Sequence, residues 1–109
     1  MNEPRRKRPA SALLVDDDPA SCAGNVNRLE RGGYKVTSCA DAAAGLRLTQ
    51  DSTYDIIFVH FSGRSGSTSF LEKLRTQDHT RHVQVILLSG QHDRAMAKLA
   101  LNVIDHESW

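Results

Sequence analysis

The segment Asp55 to Val59 (DIIFV) constrains this chain most, because Ile56, Ile57, Phe58 and Val59 are apolar at consecutive positions. Successive side chains of a strand point to opposite faces, so a strand of this composition has to be covered on both sides. Val83 to Leu88 (VQVILL) repeats the pattern and reads as a second interior strand. Together these runs exclude a sheet with one face in water. At 109 residues the chain has room for one domain with a hydrophobic core and is too short for two.

Around these strands the pattern alternates. Ser11 to Val15 (SALLV) is a short apolar run with turn formers behind it, and reads as a buried strand. Asp18 followed by Pro19 gives a helix N-cap with proline at the first helical position, where its missing N–H costs nothing. Cys22, Val26 and Leu29 recur at helical spacing, and Gly32 with Gly33 supplies the left-handed stop. Tyr34 to Ser38 (YKVTS) alternates and is β-branched, which suits a strand nearer the sheet edge. Asp41 caps a second helix reaching about Thr49, with Ala42, Leu46 and Thr49 on its inner stripe. Ser69 and Glu72 have capping-box spacing, and Phe70, Leu71 and Leu74 form the buried stripe of a third helix. Asp93 to about Leu101 reads as a fourth helix, with Met96, Ala97 and Ala100 inward, and VIDHESW supplies at best a poor fifth strand.

Such alternation implies right-handed crossovers and an open parallel sheet with helices on both faces. The expectation is a flavodoxin-like, doubly wound α/β domain with four to five βα units and a truncated or irregular C-terminal end. It occupies residues 11–109, behind a disordered basic tail of residues 1–10. Ligands of such sheets gather outside the carboxyl ends of the strands. There the first strand ends in Asp16, Asp17 and Asp18, the third in His60, and the fourth in Ser89.

Charge and composition narrow the function classes. Arg5, Arg6, Lys7 and Arg8 stand beside a single acid, Glu3, so the tail is basic and the remainder slightly acidic. A body without a basic stripe makes nucleic acid a poor main ligand. RRKRP leaves open a nuclear address beside the plainer reading of a solvated leader. No run approaches the roughly 18 apolar residues of a membrane span, and the N-terminus lacks a signal-peptide core, which points to the cytoplasm. Cys22 and Cys39 have no metal-ligand spacing and read as buried free thiols. FSGRSGSTS matches neither a P-loop nor a nucleophile elbow.

ALLVDDDPA, YDIIFVH and VILLSG, in this order and spacing, resemble the receiver domain of two-component response regulators from about Ser11 to Leu101. The resemblance implies that Asp16 and Asp17 form the acidic pocket that helps to bind magnesium. It makes Ser89 the switch hydroxyl that bonds a phosphoryl oxygen, and it puts the phosphoacceptor position, normally aspartate, at His60. The family's Met-Pro-containing loop is replaced by FSGRSG, and its lysine after the fifth strand would fall about where the sequence ends at Trp109. That ending suits an N-terminal part of a larger regulator.

An imidazole serves receiver chemistry badly, because the acceptor is both the attacking oxygen and an oxygen ligand for a hard cation. Two carboxylates about 4 Å apart repel by roughly 4 kcal/mol at an effective dielectric near 20. A protonated His60 would relieve that strain from within, while a neutral His60 would simply fill the space, and both readings stand at this point. Zinc at His60 and the aspartates lacks a third protein ligand. The chain is therefore expected to be a pseudo-receiver: no enzyme, no cofactor, magnesium weak or absent, acting through protein contacts with a histidine kinase or another regulator. A short or missing fifth strand would expose the fourth as an edge and favour a homodimer. Two alternatives stay open: a receiver phosphorylated on a non-standard acceptor, and a metal- or small-ligand-binding flavodoxin-like domain.

Overall fold

The computed structural model describes residues 9–61, 67–88 and 102–104. Among them a five-stranded parallel sheet runs in the order β2-β1-β3-β4-β5, with β1 Ser11–Asp16, β2 Lys35–Cys39, β3 Ile56–His60, β4 Gln84–Leu88 and β5 Asn102–Ile104. Helices α1 Pro19–Arg31, α2 Ala42–Asp51 and α3 Ser67–Thr76 connect the first four strands. This is the doubly wound flavodoxin-like order.

Strand alternation sorts the core into two layers. Leu13, Val15, Ile57, Val59, Val85 and Leu87 face Phe70, Leu71 and Leu74 of α3, with Ala42 and Leu46 of α2 packed alongside. Ala12, Leu14, Ile56, Phe58, Ile86 and Leu88 face Leu29 of α1, with Cys22 and Val26 beside it. The apolar runs of β3 and β4 are thus spent on two different helix layers, as their composition requires.

The caps follow the sequence. The Asp18 carboxylate accepts from the Ala20 N–H with Pro19 in the first turn, and Asp41 accepts from the Ala44 N–H. Gly33, at φ 99°, supplies the left-handed residue after α1, while Gly32 stays right-handed. Helix α3 starts at Ser67, three residues before the Phe70 start that Ser69 as N-cap implies, so Ser69 lies inside the first turn. Asp55 does not join β3; its carboxylate accepts from the Ser11 N–H at 2.7 Å and its N–H donates to the Ser11 carbonyl, clamping the starts of β1 and β3 together.

One expectation is corrected. β4 is not open over Ile86–Leu88, because the short β5 pairs with it at Ile86↔Asn102, Leu87↔Val103 and Leu88↔Ile104. Three residues are too few for alternation to announce a strand; the paired edge of β4 makes it one. The edge on which the dimer expectation rests is thus covered at these three residues. Residues 1–8 of the basic tail, the segment read as a fourth helix, and Ser89 lie outside the described residues.

Candidate functional site

The site grows out of strand register. Counting by twos from Ala12 and Leu14 puts Asp16 on the α1 side of β1, and counting from Ile56 and Phe58 puts His60 on the same side of β3. The two strands pair with Asp16 directly beside His60. Two polar side chains therefore meet at the carboxyl edge of an otherwise apolar layer. Asp16 is 1% exposed and His60 9%. The turn after β1 is tied to β3 by the Asp17 N–H donating to the His60 carbonyl at 3.2 Å.

Five contacts converge on the Asp16 carboxylate. Oδ1 lies 3.0 Å from His60 Nδ1, and accepts from the Asp18 N–H at 2.9 Å and from Ser21 Oγ at 3.2 Å. Oδ2 accepts from Asn25 Nδ2 at 2.8 Å and from Ser21 Oγ at 3.0 Å. Burial pushes this carboxyl up, but the hydrogen bonds from His60, the Asp18 N–H, Asn25 and Ser21 outweigh it and hold the group below its ordinary value of 3.8. An ionised carboxylate only accepts, so the proton in the 3.0 Å contact sits on His60 Nδ1. Both the neutral Nδ1–H ring and the imidazolium make this bond.

Ser21 and Asn25 were not singled out by sequence reasoning. The helical stripe of α1 was read through Cys22, Val26 and Leu29, but the face turned most fully inward carries Asn25 and Leu29, and Cys22 and Val26 are half-buried. The available signal was Ser21 and Asn25 one turn apart, on the helix that begins directly after the acidic run. Ser21, His60 and Asp16 do not form a nucleophilic relay. Ser21 Oγ lies 3.3 Å from the same Nδ1 that meets Asp16, whereas a relay uses both ring nitrogens.

Beside the carboxylate a groove of about 530 Å³ opens between α1 and β2, walled by Pro19, Cys22, Ala23, Val26, Ser38 and Ala40, with Asp16 and Asp17 at one end. Cys22 belongs to this α1 layer, whereas Cys39 packs into the α2–α3 layer, where burial pushes its thiol up to about 11. The sheet separates the two thiols; both are free, and both are half-buried where the sequence suggested full burial. His79 and His82 are exposed on the surface, away from this site. The described residues contain no group of three or more His, Cys, Asp or Glu arranged to hold a metal.

The fold and this edge of the sheet have relatives. The sequence model of the response regulator receiver domain matches residues 12–105. A probable chemotaxis protein CheY of Rhizobium etli is 28% identical over 90 residues, 81% of this chain and 70% of that protein. The transcriptional activator PfeR of Pseudomonas aeruginosa is 30% identical over 84 residues; the match takes in 75% of this chain but 27% of the activator's length. Among solved structures, the receiver domain of a sensor histidine kinase from Pseudomonas aeruginosa, with magnesium coordinated in its active-site cleft, superposes with a TM-score of 0.78 at 26% identity, over 89% of this chain and 84% of that one. A CheY-like receiver domain from Methylobacillus flagellatus gives 0.76 at 19%, over 89% and 86%.

Proposed function

This chain belongs to the response regulator receiver domain family, and from that premise we propose that it serves two-component signalling as a receiver that does not accept a phosphoryl group and acts through protein contacts. The observation that carries this reading is the end of β3: His60 turns Nδ1 onto Asp16 at 3.0 Å instead of presenting a carboxylate.

The chemistry follows from that substitution. An acyl phosphate needs a carboxylate oxygen as nucleophile, and β3 offers none at its end. A phosphohistidine at Nδ1 would require that nitrogen to give up its proton and its bond to Asp16. It would also place a phosphoryl group of about −2 charge against a buried carboxylate. Magnesium fares little better. It seeks several oxygen ligands in near-octahedral array, whereas Asp16 is already bonded to donors from the protein and the neighbouring side chain on β3 offers nitrogen. Weak magnesium binding fits this donor set, and no step is assigned to the metal. Ser89, the switch hydroxyl implied by the family, completes the proposed set.

The partner class is a protein, a histidine kinase or another regulator, as the family reading implies. The PfeR match covers only part of that activator, which supports a modular reading in which an output domain follows a receiver. A cytoplasmic location goes with such partners; among the described residues no helix is long and apolar enough to cross a membrane.

The test is incubation of the whole chain with acetyl phosphate and magnesium, read by intact mass after both acid and alkaline quenches, which preserve acyl phosphate and phosphohistidine respectively. We expect the unmodified mass under both. Addition of one phosphoryl group, mapped to His60, would overturn the proposal in favour of a receiver with a non-standard acceptor.

A further inference from the structure

We propose that Ser21 and Asn25, with the Asp18 N–H and His60, form a built-in cage that takes the place of a divalent cation at Asp16, and that the two α1 side chains close the site to metal independently of His60. The cage deepens the receiver reading of this site and rests on it for the cation it replaces.

An ionised carboxylate offers about four acceptor positions, and the protein fills both oxygens: three contacts reach Oδ1 and two reach Oδ2, all between 2.8 and 3.2 Å. Only one of these comes from the β3 residue. Asn25 is the informative member. It is 2% exposed on a helix face that otherwise packs Leu29 into the sheet, and a buried amide is unfavourable there unless its hydrogen bonds are met. Its Nδ2 is directed at Asp16 Oδ2 at 2.8 Å, the shortest contact in the set. Ser21, one turn earlier, reaches both oxygens. Both side chains project from a helix locked to the end of β1 by the Asp18 cap, so their donors are held in place before any ligand arrives. Restoring a carboxylate at the end of β3 would supply the missing oxygen ligand and still leave Asp16 caged.

Manganese titration by calorimetry tests this on four forms of the whole chain: the wild type, His60→Asp, Ser21→Ala/Asn25→Leu, and all three substitutions combined. The cage predicts that the triple variant binds manganese about tenfold or more tightly than His60→Asp alone, because removing hydrogen bonds that the metal would otherwise have to displace frees the charged carboxylate oxygens. Equal affinity of His60→Asp and the triple variant would overturn it, as would wild-type binding as tight as the triple variant's. Should the Asn25→Leu forms not fold, the wild type still decides: the Asn25 side-chain amide protons should exchange with solvent far more slowly than those of exposed Asn27, and equal exchange would overturn the cage. The functional reading fails separately, since phosphoryl uptake by the wild type would remove it while leaving the manganese comparison untouched.

Discussion

Asp16 and His60 meet because each lies an even number of positions along its strand from residues of the α1 layer, and because β1 and β3 pair in register. The polar shell then sets their chemistry. A carboxyl held below 3.8 contributes stability that is present above that value and is lost as pH falls through its lower folded-state value. Urea unfolding should therefore show stability dropping below about pH 4, and Asp16→Asn should flatten that slope even though it lowers stability overall. A slope unchanged in the variant would mean that Asp16 is not the depressed group. Removing one donor leaves a buried charge short of partners, so Asn25→Ala should cost about 1–3 kcal/mol, whereas exposed Asn27→Ala should stay within about 0.5 kcal/mol. Long-range proton–nitrogen NMR of the imidazole should find the His60 proton on Nδ1 at neutral pH; a bare Nδ1 would contradict the contact with Asp16. Asp16, Asp17 and His60 were legible as candidates because they end the first and third strands. Ser21 and Asn25 were not, because a polar residue on a helix reads as solvated until its facing is known.

The elements were legible wherever local chemistry decides them. Asp18-Pro19 and Asp41 cap helices for reasons contained within a few residues, and the runs of β1, β3 and β4 can be satisfied only by burial. What failed was decided by partners far along the chain. β5 exists because β4 offers it an edge, and α3 begins three residues early because its buried Phe70, Leu71 and Leu74 are fixed by the sheet and not by the capping box. Gly45 shows the same dependence on packing. An added Cβ there would meet Val15 Cγ2 at 2.9 Å and Phe70 Cε1 at 3.2 Å, so α2 lies against β1 at a distance that only glycine permits. Gly45→Ala should cost about 1–3 kcal/mol through overpacking. Gly24, mid-helix in α1 with nothing within 4 Å of an added Cβ, should behave oppositely, Gly24→Ala gaining about 0.5–1 kcal/mol from helix propensity. Thermal or chemical denaturation of the pair checks both signs, and a stabilising Gly45→Ala would contradict the close approach.

Across the molecule, burial is graded from the middle of the sheet outward. The central strands β1, β3 and β4 are buried almost throughout, whereas β2 is only partly covered along its length. Amide exchange should accordingly be slowest in Ala12–Val15, Ile57–Val59 and Val85–Leu87 and faster in β2; the reverse order would place the most stable unit elsewhere. The site sits at the carboxyl edge of this rigid centre, held by β1, β3 and the start of α1, so a ligand that engaged it would perturb elements throughout the fold. Beryllofluoride with magnesium mimics an aspartyl phosphate and provides the most direct test of whether this receiver is closed to phosphoryl chemistry. Amide spectra of the whole chain should be unchanged on its addition. Widespread shifts spreading from Asp16 and His60 into β4 would contradict the account.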